Sequence, residues 1–181
     1  MKTFEFSVIA SGLDPEAEDF ADRFFDASCD DATLSFQKGH IILDFARQAD
    51  SLAAAIVSAV NSVRTAGAQV DRVEPDPLVS LSEIASRTGL TRAAVTHYAQ
   101  GKRGKDFPIP VARVTSDSPL WEWSNVAKWL FRNAKISREA AIEAEVVRAA
   151  NAAIASHSNR LSDDIEGSLK AYEQCLEKEA A

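Results

Sequence analysis

Pro75-Asp76-Pro77 is the strongest constraint in the chain. Each proline fixes φ and removes a backbone donor, so neither a helix nor a central strand runs through the triplet. The triplet is therefore the best candidate domain boundary in the 181 residues. At about 150 residues per domain this length suits one domain or two small ones. The division expected is 1–74, 75–135 and 136–181, in an α+β chain.

Before the prolines, two periodicities alternate. Thr3 to Ile9 starts with the two-residue period of a half-buried strand. Pro15 after Asp14 signals a helix start, and Ala17, Phe20, Ala21, Phe24 and Phe25 follow at helical spacing. Ala32 to Phe36 alternates again, Lys38-Gly39 suits a turn, and Ile41 to Phe45 reads as the second arm of a hairpin. Leu52, Ala55, Ile56, Val60 and Val63 form a helical stripe that stops at Gly67, and Ala68 to Val73 closes as a strand. Val70 and Val73 do not alternate cleanly there. The order βαββαβ is the ferredoxin-like pattern, with right-handed crossovers. It suits ligand sensing, oligomerisation or partner contact, so residues 1–74 are a candidate surface for a protein partner or small effector. Asp30 and Asp31 read as a solvated turn, since adjacent strand residues face opposite ways.

Charge separates the same three parts. Residues 1–74 carry six Lys or Arg against 13 Asp or Glu, residues 75–135 nine against five, and residues 136–181 five against nine. The net charge of −7 makes the whole molecule a poor general polyanion binder, yet its middle is basic.

Within that basic middle, Leu81 to Ala99 has the layout of two short helices about a tight turn. Ser80 or Ser82 caps the first, Gly89 supplies the turn, and Thr91 caps the second. Ile84, Leu90, Val95 and Tyr98 turn inward, and small Ala85 lets the helices cross closely. Thr91, Arg92, Ala93, Thr96, His97 and Gln100 are then left outside, able to approach base edges in a major groove. Ser80, Thr91, Lys102, Arg103, Lys105 and Arg113 suit phosphates. Trp121, Trp123 and Trp129 read as core and Phe107 as a plug beneath the following loop.

Ile84-Ala85, Gly89-Leu90, Val95 and Tyr98, followed by Gly101 to Val111 and by Leu120 to Leu130, resemble the winged helix-turn-helix of MerR-type, excisionase-type and AlpA-type regulators. The matching features are a basic turn, Phe107-Pro108-Ile109-Pro110-Val111 entering a β-hairpin wing, a tryptophan at the wing's return and a helix ending in Trp129-Leu130. The resemblance covers about residues 80–132. It implies docking on double-stranded DNA and a dimer. Ala112 to Pro119 holds Arg113 and Asp117 and no glycine, unlike a Gly-rich basic wing tip.

After Ser137 comes a helix rich in alanine and glutamate, a break at Ser156-His157-Ser158-Asn159, and a second helix with Leu161, Ile165, Leu169, Tyr172 and Leu176 in one stripe. Two uses of this tail stand open. It packs on its own chain as a hairpin, or it forms a dimeric coiled coil through Ile142 and Val146 or through Leu161, Ile165, Leu169 and Leu176. The open edges of the N-terminal sheet are the competing dimer site.

Other classes lose support. Cys29 and Cys175 are far apart, and His40, His97 and His157 are scattered, so no disulfide scaffold or sequence-local metal site is expected. There is no GxGxxG or GxxxxGK[ST] loop and no nucleophile–base pair, hence no cofactor, no catalytic residue and no enzyme. The longest apolar run, Leu52 to Val60, is too short to span a bilayer, and the N-terminus is unlike a signal peptide. The expectation is a cytoplasmic, nucleoid-associated homodimer that reads a DNA site. The rival is a protein-interaction adaptor or antitoxin-like component in which DNA binding is secondary.

Overall fold

The alternation near the N-terminus becomes a ten-residue strand, β1 (Lys2–Ser11), with Phe4, Phe6 and Val8 buried and Thr3 and Glu5 in solvent. The structure, a computed structural model, describes residues 1–180. Next come α1 (Phe20–Asp26), β2 (Ala32–Gln37), β3 (His40–Ala49), α2 (Leu52–Thr65) and β4 (Gln69–Glu74). The four strands form one antiparallel sheet in the order β2-β3-β1-β4. Lys38 and Gly39 both take positive φ, 52° and 83°, as a two-residue type I′ hairpin turn requires.

Two sequence readings change here. The first helix starts at Phe20, not after Pro15, because residues 15–19 form turns and the Asp14 carboxylate accepts the Glu16 N–H. Phe24 is fully buried while its neighbour Phe25 is 68% exposed, so Phe25 is not part of the buried stripe. Asp31 is not a solvated turn residue. Its carboxylate accepts two hydrogen bonds, 2.9 and 2.7 Å, from the guanidinium of Arg47. Arg47 lies on the core face of β3 with Ile41, Leu43 and Phe45, only 8% exposed. It also donates to the Ser28 carbonyl and to Ser58 Oγ, and it stacks on the Phe45 ring.

The irregular spacing of Val70 and Val73 has a local cause. Ile9 pairs with Arg72 while Ala10 pairs with Val70, so Asp71 is an extra residue, a β-bulge. Val73 opposite Val8 and Val70 opposite Ala10 then share one face, and both are buried. On the outer side of β4, the Asn151 side-chain amide accepts the Val73 N–H at 2.8 Å and donates to the Val73 carbonyl at 2.9 Å.

The remaining elements are β5 (Leu78–Val79), α3 (Leu81–Thr88), α4 (Arg92–Ala99), β6 (Trp121–Glu122), α5 (Trp123–Arg132), α6 (Arg138–Ala155) and α7 (Leu161–Ala180). The described chain forms two compact units. Residues 149–168 belong with 1–75, whereas residues 76–148 and those from Leu169 onward form the second unit. No helix among the described residues is long and apolar enough to cross a membrane.

The expected dimer stripe of the tail is used up inside the single chain. Val146, Leu161, Ile165 and Leu176 are buried, and Ile142 and Leu169 are half-buried. Leu176 and Tyr172 pack with Ala127, Ala141 and Ala144, with Ile142 against them, and the Tyr172 hydroxyl donates to the Ser124 carbonyl. The alanine-rich face of α6 permits this close packing.

Arg47 gives a stability test. Removing one partner of a buried ion pair costs about 3–5 kcal/mol, so Arg47→Ala should lose about 3 kcal/mol in urea unfolding. The guanidinium holds the Asp31 carboxyl below the usual aspartate range. A lowered folded pKa adds stability above the unfolded value of about 3.9 and loses it as pH falls through the folded one. The difference between wild type and Asp31→Asn should therefore be full at neutral pH and shrink steadily below about pH 4.

Candidate nucleic-acid interface

Both helices of the expected helix-turn-helix are set by their ends. At α3, Ser80 Oγ accepts the Glu83 N–H while the Glu83 carboxylate accepts the Ser80 N–H at 2.7 Å, a reciprocal capping box. These bonds hold the Glu83 carboxyl below its ordinary range. Gly89 ends α3 at φ 69°, a left-handed position that favours glycine. Thr91 then caps α4 by accepting the Ala94 N–H. Between the helices, Ile84, Ala85, Val95 and Tyr98 join Val79, Trp121, Val126, Trp129 and Leu130 in one buried cluster.

That packing leaves one face of α4 outward. Thr91, Arg92, Ala93, His97 and Gln100 are exposed, and Thr96 is half-buried with its hydroxyl donating to the Arg92 carbonyl. Arg92 is held in place by a 2.7 Å bond to Ser82 Oγ. Ser82 is not among the residues expected at the interface; its place two residues before Ile84, on the opposite face of α3, is the available signal.

Ser80 fits the phosphate role poorly. Its N–H donates to Glu83 and its hydroxyl oxygen accepts the Glu83 N–H, and the Glu83 carboxylate stands at the helix end where a phosphate would sit. Lys102, Arg103 and Lys105 are exposed on the turn after α4, and Arg113 is exposed farther on at φ 51°. The Lys102 and Arg103 N–H groups both donate to the His97 carbonyl, so the turn closes directly on the last turn of α4.

An aromatic group anchors the cationic turn. Tyr98, Phe107 and Trp129 contact one another with ring centres 5.0–6.3 Å apart. Trp129 Nε1 donates to the Lys105 carbonyl at 2.7 Å, and Trp121 Nε1 to the Pro108 carbonyl at 2.9 Å. Gly104, at φ 72°, lies flat on Trp129. A Cβ there would come within 2.7 Å of the indole ring. The glycine between Arg103 and Lys105 thus has two reasons to be glycine, and the spacing alone showed neither.

The expected wing is minimal. Its pairing is limited to a bridge between Ala112 and Leu120, with the Val111 N–H also donating to the Leu120 carbonyl. Pro108 and Pro110 lack N–H groups and so cannot extend a ladder on that arm. Trp121 pairs instead with Val79 as part of β6 and β5. Two cations of the basic segment turn inward: Arg87 stacks on Trp123 and donates to the Asp76 carbonyl, and Lys128 stands over Tyr172. Burial pulls Arg87 below the ordinary arginine range.

Gly104→Ala should destabilise the second unit by at least about 1–2 kcal/mol, the cost of the left-handed backbone alone. Indole displacement adds to it. Denaturation followed by tryptophan fluorescence checks this; Gly101→Ala, with open space around the Cβ, should show the backbone cost only. No protein-family model, no curated protein and no solved structure matches the chain.

Proposed function

We propose that this protein is a sequence-specific regulator that docks α4 in the major groove of double-stranded DNA and works as a homodimer in the cytoplasm. The observation that carries the reading is the pairing of two features. One is an outward face of small and hydrogen-bonding side chains on α4. The other is a turn with Lys102, Arg103 and Lys105 fixed at that helix's end by Trp129 and Tyr98. Such a surface reads base edges with one part and grips phosphates with the other.

The α3–Gly89–α4 geometry and the Ala112–Leu120 bridge support reading residues 80–132 as a winged helix-turn-helix with a short wing. The order β2-β3-β1-β4 supports a ferredoxin-like reading of residues 1–74. That domain serves as the dimer or partner surface, because the tail's stripe is buried, Asn151 occupies the outer side of β4 at Val73, and β2 has no strand on its outer side. An adaptor function draws on Phe25 and Phe36, 68% and 48% exposed on that domain.

Binding to duplex DNA across a salt series separates the two readings: a regulator binds tightly at low salt and loses affinity steeply as salt rises, whereas an adaptor in which DNA binding is secondary binds weakly throughout. Arg92→Ala should reduce discrimination between a selected site and its mutated form by about 1–3 kcal/mol. Lys102→Ala and Arg103→Ala should weaken binding to all sequences alike and reduce the salt slope by about one each. In sedimentation, the full chain should run as a dimer and Phe36→Lys as a monomer. A Phe36→Lys dimer would remove β2 from the assembly.

A further inference from the structure

Three apolar side chains stand in solvent just beyond the cationic turn: Ile109, 81% exposed, Val111, 53%, and Val114, 64%. Ile109 lies between two prolines, so its neighbours have fixed φ and no N–H to donate. The segment is also tied down on both sides. Phe107 packs on Tyr98 and Trp129, the Pro108 carbonyl accepts the Trp121 indole N–H, and Val111 and Ala112 are bonded to Leu120. Ile109 is therefore held out on a stiff support, two residues from a ring that touches α4. Holding it there carries little further ordering cost on binding.

Charge indicates what meets it. From Gly101 to Val114 the chain has Lys102, Arg103, Lys105 and Arg113 against Asp106 alone. A partner must offer negative charge at its surface and an apolar interior beneath. Stacked bases inside a phosphate lattice have both properties.

We propose that Ile109, supported by Val111, is an apolar wedge that enters the minor groove beside the bound helix and opens one base step. The wedge rests on the DNA-binding reading above. Isoleucine and proline are among the side chains able to part base steps, and the resulting kink is about 20–90°. Flexible pyrimidine–purine steps, TA above all, are the easiest to open. The wedge thereby adds a preference for a deformable step next to the bases read by α4.

The test uses the full chain and a duplex that it selects from a random-sequence pool. 2-Aminopurine is placed at successive positions, and dyes on the two ends report bending. Wild type should raise 2-aminopurine fluorescence at one step outside the α4 contacts and bring the ends closer, by a bend of at least about 20°. Ile109→Ser, at a site so exposed that folding is unaffected, should still bind with the same salt slope while both signals fall to the free-DNA level. Val111→Ser should reduce them partly. Bound wild type with no fluorescence rise, or Ile109→Ser with undiminished signals, overturns the wedge and leaves the DNA-binding reading intact. Recovery of no duplex from the pool overturns both.

Discussion

Two indole N–H groups determine what the exposed cations can do. Trp121 and Trp129 donate to the carbonyls of Pro108 and Lys105, and between those points Phe107 is wedged against Tyr98. A turn containing Lys102, Arg103 and Lys105 repels itself and would otherwise sample many conformations. Each hydrogen bond is worth about 1 kcal/mol net, and the ring contacts add about 0.5–1.5 kcal/mol each. These sums are comparable with the backbone entropy of fixing a few residues, about 1–2 kcal/mol apiece. The turn is ordered because its carbonyls and rings are satisfied from below, which leaves its charged ends facing outward.

The charge distribution suits a short-range grip more than long-range attraction. The first unit holds seven Lys or Arg against 16 Asp or Glu, and the second 13 against 11. The second unit is thus close to neutral; Arg87 and Lys128 turn inward, and three of its exposed cations, Lys102, Arg103 and Lys105, crowd into one turn. At physiological salt such a field fades over about 8 Å. Recognition must then rest on contact geometry, which is where a pinned loop and a capped helix are useful.

Much of the architecture was legible from periodicity and end signals. β1, β3 and α2 are legible because most of their apolar residues fall on one period, with Ile9 of β1 and Ile42 of β3 breaking the alternation, and Ser80, Gly89 and Thr91 mark helix ends through local bonding that needs no tertiary partner. What escaped depended on distant residues. The spacing of Val70 and Val73 makes sense only with the bulge against β1. Asp31 looked solvated because Arg47, its partner 16 positions later, is identified by the fold alone. In the candidate site, the outward face of α4 was readable, but the commitment of Ser80 to Glu83 and the contact of Gly104 with Trp129 were not. The tail's stripe was seen correctly as apolar. Its destination depended on the small alanines of α5 and α6 that receive it.

The Asn151 amide at β4 has a consequence for stoichiometry. An open sheet with two free edges can add strands at both ends and grow without limit, whereas a sheet blocked on one side has a valency of one. With Val73's N–H and carbonyl already matched by a side chain, no further strand can pair with β4 at that position, whereas β2 has no strand on its outer side. One asparagine therefore closes one position of the β4 edge to strand addition.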